Sequence, residues 1–367
     1  MRKSLKFLLG FKILFCFYGV FIFGKLSFLG DSEMYLSMPL EFIAANVYTN
    51  TFFVGFVTAM LKKVLFVNFF VHLAYCFITY WSLKKLFNRL NLRPKNEITL
   101  VILLSFPSFA MWTSVVSKES LTCFFSIFII IWILDLMEKK KRTYHLIWNL
   151  LCLYFTILLR PTVGFGLVLA LIALIFNKFA FINKYVRYGL MLISILIGGT
   201  IVYILSANFI QNEFLPLAKE YFNPKYFDTQ STRTGDFWVG EWDLFIMAPY
   251  GIFLANLGPT LIESFAKPQF MPYFFEGLAF WFVVFYYLFI HFLRQRELKI
   301  ANPNFTIFFI FLFLMTLFIN YPFGVFNPGS ATRYRSSYFL IIMTFLYYFH
   351  QKDTLKFHKY LKDLDAQ

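Results

Sequence analysis

Apolar runs long enough to cross a bilayer recur from one end of this chain to the other, separated by short charged segments. A membrane-spanning helix needs about 20 mostly apolar residues. By that measure the pattern predicts helices near 7–29, 64–81, 121–137, 147–159, 167–176, 190–210, 274–292, 305–319 and 338–349, with one more ending at 107–112. The stretch 31–60 is less apolar and either lies along the surface or dips into the membrane. The stretch 244–266 is interrupted by Pro249, Gly251, Gly258 and Pro259. It reads as a re-entrant hairpin or as one kinked span, since irregular backbone at membrane depth needs protein or water around it. The prediction is an all-α, polytopic transmembrane protein of about ten crossings, a single integral domain over 1–367 with its main polar loop at 211–243.

The charges between these runs sort by side. One side collects Lys84, Lys85, Arg89, Arg93 and Lys95, then Lys139 to Arg142, then Arg294, Arg296 and Lys299. Short loops rich in Lys and Arg face the cytoplasm, which places both termini there. The first span follows Arg2, Lys3 and Lys6 and lacks a small-residue cleavage site, so it reads as a retained helix. Lys12 and Lys25 fall near its two ends, where long side chains can snorkel to the interface. Lys62 and Lys63 sit on the other side, against the rule.

Composition agrees with the pattern. Charged residues make up 14% of the chain, where a soluble domain carries roughly 25%, and the mean hydropathy is +0.66. The net charge of +15 is accounted for by topology-setting lysines and arginines, which points to lipid headgroups and away from nucleic acid. The four cysteines all lie inside apolar runs and form neither a disulfide framework nor a metal-type spacing. No internal repeat is evident.

The side opposite the basic loops carries every segment with chemical promise: GDSEMY (30–35), SKES (117–120), RPTVG (160–164), TRTGDFWVGEWD (232–243) and NPGSATRYR (327–335). Asp31 and Glu33 follow the first span, where a carboxylate acts as a general base, holds a divalent cation, or simply stops the helix. Lys118 and Glu119 occupy so short a turn that both stay near membrane depth, where ionisable groups are costly and usually functional. Their structural alternative is a local ion pair, with Ser117 as N-cap of the next helix. Arg160, Arg333 and Arg335 sit where the positive-inside rule disfavours them and want a carboxylate or a phosphate. Flanking Tyr334 on an extended or turn segment, Arg333 and Arg335 would grip two phosphates together; the alternative is snorkelling to lipid phosphate. Asp236 and Glu241 beside Trp238 offer a sugar-stacking surface or an interfacial aromatic belt. The histidines lie in spans or on the basic side, so an external zinc site or a His-based triad lacks its parts. No Gly-rich nucleotide loop appears, which disfavours a nucleotide-driven enzyme.

The acidic GDSEMY exit resembles the first-loop motif of the GT-C superfamily of membrane glycosyltransferases. FPSFAMWTSVVSKES (106–120) and NPGSATRYR are similar to segments of O-antigen and capsule polymerase-like members. The resemblance implies a GT-C-like fold in a bacterial inner membrane. It also implies transfer of a sugar or repeat unit from a polyprenyl-phosphate or -diphosphate donor to a glycan acceptor on the non-cytoplasmic face. Asp31 would then be the catalytic carboxylate with Glu33 nearby and Glu119 as the second acid, while Lys118, Arg160, Arg333 and Arg335 would hold the lipid phosphates. No cofactor is required beyond a divalent cation that the acids could hold. Two alternatives stand: a lipid-linked oligosaccharide flippase, which needs charges along a mid-depth path, and a non-catalytic scaffold.

Overall fold

The computed structural model describes residues 2–26, 29, 31–39, 49–138, 145–178, 186, 189, 193, 233, 246–298, 321, 324–325 and 327–365. The expected spans 190–210 and 305–319, and the loop 211–243 apart from Arg233, lie essentially outside them. The described residues are helical and contain no strand. In order the helices are α1 (Lys3–Tyr18, continued by a π-helical turn Gly19–Phe23), α2 (Ser32–Ser37), α3 (Asn50–Leu65), α4 (Asn68–Leu90), α5 (Pro94–Leu104) and α6 (Pro107–Trp112). There follow α7 (Lys118–Met137), α8 (Leu146–Leu159), α9 (Pro161–Lys178), α10 (Ala248–Leu257), α11 (Leu261–Ala266), α12 (Met271–Leu298) and α13 (Pro328–Asp365).

Among the described residues three helical stretches are long and apolar enough to cross a membrane: Lys3–Phe23, Lys118–Met137 and Pro268–Arg294. A fourth is added if α3 and α4 form one broken span, bent by 117°. The chain is therefore a membrane protein by its apolar helices. The bend falls inside the span expected at 64–81, at Phe66, whose φ of 55° no L residue adopts without strain.

The contacts divide the chain into two compact units. One comprises Met1–Phe165, Phe275–Pro303 and Arg333–Gln367. In it α7 packs against α4 and α8, and α1 against α4, α5 and α6. Every side chain of α13 from 338 to 349 is buried. A helix that is apolar all round belongs in a core, and this stretch is buried within its unit.

Ion pairs mark one end of that unit. Arg2 bonds Glu97, Arg89 bonds Asp135 at 2.5 Å and Glu138 at 2.9 Å, and Lys352 reaches Glu138 at 2.8 Å. The start of α1, the ends of α4 and α7 and the middle of α13 thus share one end. Asp31, Glu119, Arg160 and Arg333 gather at the other.

Lys12 departs from the expectation of snorkelling. It is fully buried, and its ammonium donates to the Thr113 carbonyl and hydroxyl at 2.8 Å and to Ser114 Oγ at 3.1 Å. The three acceptors surround the unwound stretch after α6, so the ammonium also neutralises the negative C-terminal end of that helix. Thr79 donates to the same Thr113 carbonyl at 2.7 Å. Lys12→Met keeps the volume but leaves these acceptors one donor short; a loss of about 1–3 kcal/mol is expected, read by thermal unfolding of the detergent-purified chain.

The second unit comprises Gly166–Phe274 and Asn304–Thr332. Within it Arg233 donates through Nε and Nη2 to the two carboxylate oxygens of Glu263, and through Nη1 to the Gly324 and Val325 carbonyls at 2.8 Å. Glu263 also closes a capping box with Thr260 at the start of α11. All three nitrogens of this guanidinium are engaged, so Arg233 acts as a structural tie.

Candidate functional site

Pro107 starts α6, and the helix stops at Trp112 because the next residues spend their hydrogen bonds elsewhere. The Ser117 and Ser120 hydroxyls both bond the Trp112 carbonyl, and Ser120 Oγ also bonds that of Val115. Val116 N–H donates to His72 Nδ1 at 3.0 Å, and Ser32 Oγ donates to the Val116 carbonyl. Ser117 then caps α7, accepting from Ser120 N–H at 3.0 Å. The break is thus pinned from α1, α2 and α4, and it fixes where Lys118 and Glu119 emerge.

The N-cap half of the structural alternative for SKES is present, but no Lys118–Glu119 ion pair forms. Lys118 donates to Asn50 Oδ1 at 3.2 Å and Thr51 Oγ1 at 3.0 Å, at the start of α3. Glu119 is fully buried, and its Oε1 accepts from Arg160 Nη2 and, at 2.8 Å, from Arg333 Nε. Arg333 spans two acids: its Nη2 donates to Asp31 Oδ2 at 3.0 Å. Tyr35 donates to that same oxygen at 3.2 Å. Aromatic faces cover both arginines, with Trp112 5.3 Å from the Arg333 guanidinium and Tyr334 4.4 Å from that of Arg160.

Arg160 owes its place to the tight link between α8 and α9. Val163 and Gly164 donate backbone bonds to its carbonyl. A Cβ on Gly164 would stand 2.7 Å from Ile157 Cα, so only glycine lets the turn close this far. Lys62, one of the two lysines on the unexpected side, has a local reason to be there: it donates to the Leu36 carbonyl at 2.8 Å, at the end of α2.

Three cations (Lys118, Arg160, Arg333) against two carboxylates (Asp31, Glu119) leave one net positive charge, 3 − 2 = +1, at this site. Three buried atoms here lack a hydrogen-bond partner: Glu119 Oε2, Arg160 Nε and Trp112 Nε1. Buried polar atoms are nearly always paired, so such a group of orphans suits an incoming polar ligand. The exposures assign the order of approach. The Asp31 side chain is 39% accessible, Arg333 16%, Arg160 13% and Glu119 0%. Burial works against the charge on Asp31, but the adjacent Arg333 guanidinium and its hydrogen bond outweigh it and hold the carboxyl below its ordinary value. Asp31 is therefore an anion at neutral pH.

The other residues expected here divide. Glu33 is exposed in the first turn of α2 and makes no ion pair among the described residues. Tyr334 joins through its ring. Arg335 does not join. The expected extended segment is instead the opening of α13, and residues two apart on a helix point about 200° from one another. Arg335 is fully buried and lies 3.5 Å from Glu276, which also accepts from Ser108 N–H at 2.8 Å. The two-arginine clamp is thereby corrected to Arg333 with Arg160. Asp236, Trp238 and Glu241 lie outside the described residues.

Sequence reasoning passed over Tyr35, Asn50 and Thr51 as partners, and also Trp112 as an arginine platform. The signal for Tyr35 was available, since it stands four residues after Asp31 and so on the same helix face. Among the described residues no three His, Cys, Asp or Glu side chains gather as a metal-binding group. No protein-family model, curated protein or solved structure matches the chain.

Proposed function

We propose that this chain is a membrane glycosyltransferase or polymerase of bacterial surface-polysaccharide assembly. It would take a sugar or repeat unit from a polyprenyl-phosphate or -diphosphate donor and pass it to a glycan hydroxyl. The observation that carries the reading is the shared hold of Arg160 and Arg333 on Glu119, with Asp31 on the other arm of Arg333, next to unpartnered buried polar atoms. In this reading the protein lies in the inner membrane with about ten crossings, its basic loops and both termini cytoplasmic and the Asp31 end outside.

The chemistry follows from the charges. The bond between the anomeric carbon and the phosphate oxygen breaks, and its electron pair leaves with the phosphate. Arg160, Arg333 and Lys118 are preplaced to stabilise that growing charge. Asp31, the more accessible of the two arginine-paired carboxylates, takes the proton of the acceptor hydroxyl as its oxygen bonds to the sugar. Glu119 is too buried to reach an acceptor; it holds the two arginines in place. A flippase would need charged groups along a mid-depth path, whereas Lys12, the buried charge of the first span, is fully occupied by Thr113 and Ser114.

The test is deletion of the gene in its host, with the extracted surface glycan resolved on a gel. A ladder collapsed to core plus one repeat is expected of a polymerase, and loss of all repeats of a transferase. An unchanged ladder would sink the proposal.

A further inference from the structure

At the Asp135 end of α7, Trp81, Arg89, Trp132, Asp135 and Trp148 line a cavity of about 610 Å³. Trp81 also lines an apolar groove of about 430 Å³, with Val57, Ile78, Leu121 and Phe124. The helical phase explains why the two adjoin. On α4 the stripe Ile78, Trp81, Lys85, Asn88 follows i, i+3, i+7, i+10 spacing, and on α7 the stripe Leu121, Phe124, Phe128, Ile131, Asp135 does the same. Each stripe passes from apolar to polar along the helix axis, over about 15 Å on α4. One end receives a polar group, and the other receives hydrocarbon.

The polar end is built of unused donors. Lys85 is exposed and has no carboxylate or hydrogen-bond partner among the described residues, and its ammonium rests 5.3 Å from the Trp81 ring. Asn88 has no partner. Asn149 lines the same cavity, is only 7% exposed, and has no partner either. Its amide atoms are not among the fully buried unpartnered ones, so they open into the cavity, where they can meet a ligand. The N-terminus of α8 also faces the cavity through His145, Trp148 and Asn149, and His145 provides no side-chain cap for it. Helix N-termini favour anions. Asp135, the carboxylate at the wall, is already held by Arg89.

We infer that this is a binding site for an anionic phospholipid of the surrounding membrane. Its phosphate is received by Lys85, Asn88, Asn149 and the α8 N-terminus, and one acyl chain passes Trp81 into the groove. Tryptophans at the polar-apolar boundary suit that placement. The site is separate from the Asp31 group: Glu119 and Asp135 are 16 residues apart on α7, about 24 Å along its axis. It stands whether or not the chain transfers sugars.

The test is binding of dioleoyl-phosphatidylglycerol and dioleoyl-phosphatidylcholine to the full chain in dodecyl maltoside, followed by native mass spectrometry. Phosphatidylglycerol is expected to bind preferentially. One lysine near an anionic headgroup is worth roughly a five-fold change in binding, so Lys85→Gln should reduce the preference about five-fold. Lys84→Gln, one residue away and outside the cavity, should leave it intact. Asn88→Ala, at an exposed position that threatens no fold, should weaken it as well. Equal binding of the two lipids, or equal effects of the two lysine variants, would show general attraction to a basic surface and overturn the site. Glycerol 3-phosphate is the remaining arm. Weak competition is expected because it lacks the chain; competition as strong as the lipid's would reassign the cavity to free phosphoesters.

Discussion

Replacing Arg333 by alanine is expected, on the proposed function, to lower transfer from the lipid-linked donor by about 10²- to 10³-fold, the usual cost of removing one preplaced group from a developing anion. Arg333 is the residue on which the group depends, because among the described residues it alone bonds both Asp31 and Glu119. On the proposed function, its loss removes a cation from the donor phosphate and frees Asp31 from the geometry that would present it to an acceptor. Arg333→Lys keeps the charge but cannot reach two carboxylates with a planar fork, so an intermediate rate is expected. Glycan ladder length in the host and turnover by the purified full chain both read the effect. A wild-type ladder from Arg333→Ala at normal membrane abundance would remove the catalytic proposal.

Glu119→Ala is expected to cost about 3–5 kcal/mol of stability, as for other buried ion pairs broken from one side. Glu119 is fully buried, and Arg160 and Arg333 share its Oε1. Without it, two guanidinium groups of little exposure face each other with Asp31 as the remaining carboxylate. Glu119→Gln retains an acceptor oxygen and should lose less. The pair can be separated from general damage by a double-mutant cycle with Arg160→Ala, where a coupling well above the single-site scatter is expected. Unfolding of Glu119→Ala indistinguishable from wild type would mean that the ion pairs do not organise this end of the helices.

Much of the site was legible before any coordinates. Asp31, Lys118, Glu119, Arg160 and Arg333 stood out because an ionisable group at the end of an apolar helix is costly unless something compensates it, and all five fall at one end of one unit. Ser117 was recognisable as a cap from its place before an apolar run. Two readings failed for a shared reason, an element assigned the wrong geometry. NPGSATRYR suggests an extended or turn segment that sets Arg335 beside Arg333, whereas in α13 the two residues face different sides and Arg335 meets Glu276. Lys12 reads as lying near a helix end, whereas it is fully buried and Thr113 and Ser114 after α6 receive its ammonium.

The chain by itself determined that the protein is helical and rich in membrane-length apolar runs, and which ionisable groups could not remain unpaired. These follow from local quantities: the length of an apolar run, the cost of a charge within it, and the signs of the flanking residues. The tertiary structure alone decided who pairs with whom. Glu119 finds Arg160 across 41 residues and Arg333 across 214, and Arg333 finds Asp31 across 302. Such partners are chosen by helix phase and by which helices pack side by side, and neither is written in the residues next to the charge.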